Sequence, residues 1–219
     1  MINIERQPIY GKFAKYYEKI YSERTYQKEV DFVESLLKKH EIGGKIPDVG
    51  CGTGKHVKLL KEKGHVVKGM DKSEEMLEIA RENVKDVEFI KGDIKNFTTS
   101  EKFDTILCLF TTMNYNKTIE EVQKTLQNFY NALGRKGVVI FDIGLTEEAS
   151  GGPGLTVFTA DELQIARVAI WRPRGNMMHA TFLLLVKDHG EVDFEVGKHL
   201  LSLLNLEQIG EIMEKIGFQ

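Results

Sequence analysis

Asp48-Val49-Gly50-Cys51-Gly52-Thr53-Gly54 places three glycines at alternate positions between a short apolar run and an amphipathic one. No other stretch restricts the fold as much. Glycine lets the backbone turn tightly and approach a ligand with no Cβ in the way. A helix opening behind such a turn presents unpaired N–H groups and a partial positive charge. The unit is therefore strand, turn, helix, and its strand needs neighbours. Short apolar runs at 45–50, 65–71, 87–91, 103–110 and 137–143 alternate with helical patterns at 54–63, 73–84 and 118–133. Ser73 reads as an N-cap, Gly64 as a C-cap, and Thr118-x-x-Glu121 as a capping box. This order predicts an α/β fold, a doubly wound and mostly parallel sheet with right-handed crossovers.

The texture differs at both ends. The first forty residues read as helix, with Val30, Val33 and Leu37 on one face. Four Gly and one Pro within 144–154 mark a loop. Three long strands follow at 164–173, 177–187 and 191–201, joined by turns at Arg174-Gly175-Asn176 and Asp188-His189-Gly190. A last helix covers 206–216. The expected organisation is a helical lid at 1–42, a parallel core at 43–143, an antiparallel β-meander cap at 144–204, and a helix at 205–219 that returns to the core.

Composition bounds the partners. The 219 residues carry 30 Lys+Arg against 33 Asp+Glu, a net charge of −3, which argues against a nucleic-acid track. Two cysteines, Cys51 and Cys108, are too few for a zinc site or a disulfide framework. No His pair has metal-ligand spacing, so no metal is expected. With neither an 18-residue apolar stretch nor an apolar leader, no membrane association is expected and a cytoplasmic protein is.

The ligand of the glycine turn is the sharper question. A dinucleotide turn reads G-x-G-x-x-G, whereas here the spacing is G-x-G-x-G. Asp48 stands just ahead of it, where a carboxylate would repel a diphosphate and suits a ligand with a positive amine. Asp48 to Gly54 resembles the first motif of the class I S-adenosylmethionine-dependent methyltransferases. Asp71 at the end of the second strand, Gly92-Asp93-Ile94 after the third and Phe103 to Phe110 as the fourth continue the resemblance in register. Gly134 to Ile140 resembles the turn into the fifth strand, with Arg135 in place of the usual Pro. Tyr10 to Tyr21 is similar to the aromatic lid helix of the small-molecule members.

The resemblance implies S-adenosylmethionine as methyl donor. Asp48 would act on its methionyl amine, Asp71 on the ribose hydroxyls and Asp93 on the adenine amino group. The remaining implied contacts are Tyr21, Gly50, Cys51, Gly52, Gly54, Lys72, Met76, Gly92, Ile94 and Leu109. Tyr17, Met113, Asn114, Tyr115 and His199 are candidates for the transfer site, with His199 or Tyr115 to accept a proton. Gly54-Lys55-His56, Met113-Asn114-Tyr115 and the meander bring the likeness nearest to N-methyltransferases of nucleotide-linked amino sugars. The expected acceptor is a small polar metabolite, an amine above all, and a homodimer is a possible assembly. A dehydrogenase, a tRNA or other nucleic-acid methyltransferase, and a non-catalytic sensor of S-adenosylmethionine are the rival readings. The Arg172 and Arg174 pair reads as a solvated hairpin end sooner than as a grip on an anion.

Two structural expectations complete the reading. Pro47 should interrupt the pairing of the first strand, because it has no N–H to give. The fifth strand should lie at a sheet edge, because the family adds two more strands that would need about 20 further residues.

Overall fold

The computed structural model describes residues 7–219, so the first six residues of the expected lid lie outside the described residues. Its core is a parallel sheet of β1 (Lys45–Val49), β2 (Val66–Asp71), β3 (Glu88–Lys91), β4 (Phe103–Cys108) and β5 (Leu133–Phe141), in the order β3-β2-β1-β4-β5. Helices cover both faces. On one side α2 (Tyr26–His40), α3 (Lys55–Glu62) and α4 (Glu74–Asn83) bury Val30, Leu37, Val57, Leu60 and Leu77 against Ile46 and Leu107. On the other, α5 (Ile119–Ala132) and α6 (Leu206–Ile216) bury Val122, Leu126, Phe129 and Ile209 against Val49 and Ile106. Strands covered on both faces need apolar side chains in both directions, which is why β4 reads as an almost unbroken apolar run.

The caps act as the sequence requires. Ser73 Oγ accepts from the Met76 N–H, Thr118 from Glu121 and Asn205 from Gln208. Gly64 and Gly217 take positive φ at the ends of α3 and α6. Pro47 pairs with Lys68 in an unbroken β1–β2 ladder, while on the β4 side the only registered pair is Asp48 with Leu107. The interruption expected at the proline thus falls on one side of the strand. β5 is an edge, bonded only to β4, and α6 with Phe218 packs with its Val139 and Phe141 and with Ile143 just beyond it.

Three sequence expectations need correction. The first forty residues are not one helix. Two 3-10 turns, Pro8–Tyr10 and Ala14–Tyr16, lead into a four-residue α1 (Tyr17–Ile20) before α2. Gly11 and the loose turn at Tyr21 break the pattern, and aromatic packing holds the segment in place of helical hydrogen bonds. The fourth parallel strand stops at Cys108, because Phe110 and Thr111 both take left-handed φ, at 62° and 65°. The meander has four strands, not three: β6 (Gly152–Ala160), β7 (Leu163–Arg174), β8 (Met177–Asp188) and β9 (Glu191–Ser202). Gly152, Pro153 and Gly154 disguise β6, which lies at the sheet edge where proline is tolerated.

The lid, α4 and the inner face of the meander share one core. Ile9, Phe13, Tyr16 and Tyr17 pack with Met76, Ile165, Leu184 and Val186. Asn114, fully buried, ties the cap to the parallel core. Its Nδ2 donates to the carbonyls of Leu145 at 2.8 Å and Ser202 at 2.7 Å. Asn114→Ala leaves two buried carbonyls short of a donor, so a stability loss of about 1–3 kcal/mol is expected. Urea unfolding that gives the same midpoint for variant and parent would refute this tie.

Candidate active site

The strand order reverses between β1 and β4, so the chain leaves these neighbouring strands in opposite directions. Open α/β sheets bind ligands in the crevice that such a reversal leaves. A cavity of about 980 Å³ lies there. Gly50 and Gly52 line it after β1, and Phe110, Thr112 and Tyr115 line it after β4. Asp71 and Met76 enter from β2 and α4, Asp93 and Ile94 from the turn after β3. Tyr10 and Tyr17 of the lid and His199 of β9 close it.

The turn after β4 is held by one side chain. Asp142, just beyond β5, accepts from the N–H groups of Phe110 and Thr111, each at 2.6 Å. Successive N–H groups in a turn make a small anion-binding concavity, and a carboxylate of the chain itself fills this one. Thr112 then lies against Gly50, where a Cβ would meet its side chain at 2.5 Å. Gly50 and the turn after β4 are thus fitted to each other. Gly52 has positive φ, and nothing lies within 4 Å of the place a Cβ would take, so its open side belongs to the cavity.

The acidic residues differ in surroundings. Asp71 accepts from the Gly52 N–H at 2.8 Å and the Ser73 N–H at 2.9 Å. Burial raises its carboxyl against those two donors. Asp93 is also partly buried, but the Lys95 N–H and the Lys72 ammonium at 3.1 Å outweigh burial and hold it below the usual range. Asp48 is 2% exposed and does not reach the cavity wall. Its Oδ2 has no hydrogen-bond donor, and His56 Nδ1 stands 4.0 Å away. Burial pushes this carboxyl up to about 6.

The sequence-derived residues divide accordingly. Tyr17, Tyr115, His199, Gly50, Gly52, Asp71, Lys72, Met76, Gly92, Asp93 and Ile94 line the cavity. Tyr21, Asp48, Cys51, Gly54 and Leu109 do not. Tyr21 stacks between Tyr17 and Phe110, under the Arg167 guanidinium. Cys51 faces the core beside Val67 and Phe89. Gly54 is needed for packing, since a Cβ there would come within 3.2 Å of Ala80. Leu109 offers its carbonyl to Thr112 Oγ1. Met113 and Asn114 are buried behind the turn. Sequence reasoning passes over Tyr10, Ser73, Thr112, Lys117 and Lys198, all on the wall. Tyr10 is visible as the first aromatic of the lid; the others depend on pairings that spacing does not show. Arg172 and Arg174, read as a solvated hairpin end, also line the cavity.

Three polar side chains form a string across it. Tyr10 and Tyr115 share a hydrogen bond of 2.9 Å, and Tyr115 meets His199 Nδ1 at 2.7 Å. His199 Nε2 is buried without a partner. Burial lowers His199 to about 4 and raises Tyr10, Tyr17 and Tyr115. All four are therefore neutral near pH 7. A histidine held this low is a poor resting place for a proton, so the string offers hydrogen bonds rather than a strong base.

Comparison with known proteins agrees with this geometry. Residues 46–137 match a methyltransferase domain family. A putative methyltransferase of Geobacillus sp. (strain WCH70) is 26% identical over 218 residues, covering 95% of this chain and 88% of the relative. The dTDP-3-amino-3,4,6-trideoxy-alpha-D-glucopyranose N,N-dimethyltransferase of Streptomyces venezuelae is 28% identical, covering 80% of this chain and 75% of its own. The crystal structure of Streptomyces venezuelae DesVI superposes with a TM-score of 0.87 at 26% identity, over 94% of this chain and 89% of that one.

Residues 46–137 form a methyltransferase domain, and the chain is an S-adenosylmethionine-dependent methyltransferase.

Its donor site fits the cofactor on this structure's own terms. The donor-less Asp48 Oδ2, the open side of Gly52 and two carboxylates on the wall suit a ligand bearing an ammonium, hydroxyls and an amino group. Among the described residues no cluster of His, Cys, Asp and Glu could hold a metal, and no helix is long and apolar enough to cross a membrane.

Asp48 sets a testable cost. Its folded pKa is raised, so its contribution to stability is present below about pH 4 and lost as pH rises through about 6. Asp48→Asn removes an unpaired buried charge. The ligand-free methyltransferase should gain on the order of 2 kcal/mol at pH 7.5, an advantage that vanishes toward pH 4. Thermal unfolding across this range checks it, and a variant less stable than the parent at pH 7.5 would count against the reading.

Proposed function

We propose that this methyltransferase N-methylates an amine on a small anionic acceptor, with a nucleotide-linked amino sugar as the class that fits best. The observation that carries this reading is the charge division of the cavity. At the donor end the lysines are neutralised: Lys72 pairs with Asp93, and Lys95 with Glu121. Elsewhere Arg172, Arg174 and Lys198 line the wall, and among the described residues none of these three side chains has an ion-pair partner within 4.0 Å. Arginine binds phosphate oxygens in pairs, so a diphosphate suits this end. The names of relatives support the same class: the Streptomyces venezuelae enzyme is a dimethyltransferase of a dTDP-linked amino sugar. Both cysteines are buried and free, which suits a reducing compartment, and we place the reaction in the cytoplasm.

In this reading Asp71 holds the ribose, Asp93 the adenine amino group, and Gly50 and Gly52 let the donor approach the backbone. Asp48 acts from behind the glycine turn on the positive methionyl end. Bound S-adenosylmethionine supplies a methyl group on a sulfonium, ready for in-line displacement. The chain's task is to align a neutral amine and exclude water. The Tyr10–Tyr115–His199 string does so by hydrogen bonding. Neutral His199 and the tyrosine oxygens can accept the amine N–H groups, which turns its lone pair toward the methyl. None of them needs to keep the proton, which the methylated product releases to solvent.

Three measurements test this. Asp71→Ala should weaken binding of both donor and demethylated product roughly 30-fold or more, since hydrogen bonds to a carboxylate are lost. Unchanged titration calorimetry would remove Asp71 from the donor site. With saturating donor, the acidic limb of kcat/KM should follow the acceptor amine's own ionisation and persist in His199→Gln, whose rate should fall less than about a thousandfold. Arg172→Ala with Arg174→Ala should raise the acceptor KM and leave donor affinity alone. Activity confined to uncharged acceptors would refute the anionic reading.

A further inference from the structure

The Gly54-Lys55-His56 run behind the glycine turn puts a histidine between two carboxylates. His56 is the second residue of α3 and is 6% exposed. On one side its Nε2 lies 2.7 Å from Glu29 Oε2 on α2. Glu29 Oε1 in turn holds the Arg24 guanidinium at 2.7 Å. Burial works against the Glu29 carboxylate, but His56 and Arg24 keep it below the usual range. An ionised carboxylate only accepts, so Nε2 carries the hydrogen and donates it. The bond made by one ring nitrogen fixes the state of the other. In the neutral ring Nδ1 is therefore bare, and it faces the donor-less Asp48 Oδ2 at 4.0 Å. A bare nitrogen and a buried carboxylate oxygen repel each other there. One added proton turns the repulsion into attraction.

We propose that Asp48 and His56 share one proton in the ligand-free protein, and that the ammonium of the methyl donor expels it on binding. His56 is then a positioning residue, held by Glu29, that keeps Asp48 ready for the ligand's charge. Burial pushes Asp48 up to about 6, His56 works in the opposite direction, and Asp71 adds a further rise. Charges so close titrate as a pair. The other groups around the pair do not take its place. Arg24 is engaged by Glu29. Tyr26 stands edge-on to the His56 ring at 5.2 Å, and burial raises its hydroxyl to about 12. Burial also raises the thiols of Cys51 and Cys108 well above their usual value. All three stay neutral near pH 7. Asp71 is already bonded to the N–H groups of Gly52 and Ser73. A cation beside the glycine turn favours the ionised form of a nearby buried carboxylate. The proton therefore passes to solvent as the ligand enters, and the ligand's ammonium takes over its charge.

The pair stands on its own geometry; the expulsion rests on the proposed reading in which Asp48 acts on the methionyl end. Titration calorimetry of the full chain with S-adenosylhomocysteine, in buffers of different ionisation enthalpy, counts the protons released. A group that loses its proton near pH 6 should release about half a proton per site at pH 6 and about a tenth at pH 7. Methylthioadenosine, which has the base and ribose but no ammonium, should bind without release. His56→Leu removes the neighbour that lowers Asp48, so release at pH 7 should rise at least about threefold. Asp48→Asn should abolish it. No release by the parent at pH 6 overturns the proposal. An equal release with methylthioadenosine, or one that survives Asp48→Asn, traces the proton to Asp71 and also overturns it. A folded His56→Leu with parent-like release leaves the ring a packing role only and overturns it too. The ligand-free parent decides the pair without a variant of His56. In nuclear magnetic resonance its ring nitrogen shifts should change through about pH 6, and Asp48→Asn should displace that step. A ring that does not respond, or a step left in place by Asp48→Asn, overturns the pair. If S-adenosylhomocysteine does not bind, the donor reading fails and the ring shifts still decide the pair.

Discussion

The Asp142 carboxylate holds open the point on which the site depends. β1 and β4 are neighbours whose connections part company, and the chain must turn sharply after Cys108 to leave the crevice free. It does so through Phe110 and Thr111, two side-chain-bearing residues in left-handed conformation, a geometry that costs roughly 1–3 kcal/mol at each. The two N–H groups that this turn brings together are both satisfied by Asp142. Charge-assisted bonds of this kind are among the stronger ones, and they offset the strain. From that turn Phe110 reaches the lid, under the Arg24 guanidinium at 3.6 Å and edge-on to Tyr21. Thr112 fits the Cβ-free side of Gly50, and Tyr115 meets His199 on the cap. Lid, glycine turn and cap are all positioned from one carboxylate.

Electrostatics then divides the cavity by function. Burial dominates the shifts: it raises Asp48 to about 6, lowers His199 to about 4 and keeps the tyrosines protonated. The Tyr10–Tyr115–His199 string is thus a neutral, hydrogen-bonding centre in a cavity that Asp71 and Asp93 line with carboxylates and Arg172, Arg174 and Lys198 line with cations. Such a centre favours a neutral nucleophile and offers no strong base. That agrees with methyl transfer, in which alignment supplies most of the rate and the leaving proton can depart afterwards.

The parallel core and its glycine turn were legible because they rest on local rules. Apolar periodicity, caps at Ser73 and Thr118, and glycines at Gly50, Gly52 and Gly64 each fix a short segment without help from distant residues. Asp71 and Asp93 reached the cavity as expected because one ends β2 and the other stands in the turn just after β3, and strand ends point into the crevice. Asp48 was legible as a residue but not as a position. Its place behind the glycine turn depends on how α3 and His56 pack, which spacing does not encode.

By itself the sequence determined the parallel α/β core, its sheet class and the carboxylates Asp71 and Asp93 that reach the cavity, since hydrophobic period and turn chemistry act within a few residues. Only the tertiary structure decided which side chains meet across long separations. Tyr10, Tyr115 and His199 lie 84 or more residues apart in the two bonds that join them. Arg172 and Arg174 turn from a hairpin end into a cavity wall through the twist of the meander. β6 exists because β7 offers it an edge, overriding a Gly-Pro-Gly run that locally favours a loop. These outcomes follow from packing and register, whose free energy is shared among partners that no single stretch of chain contains.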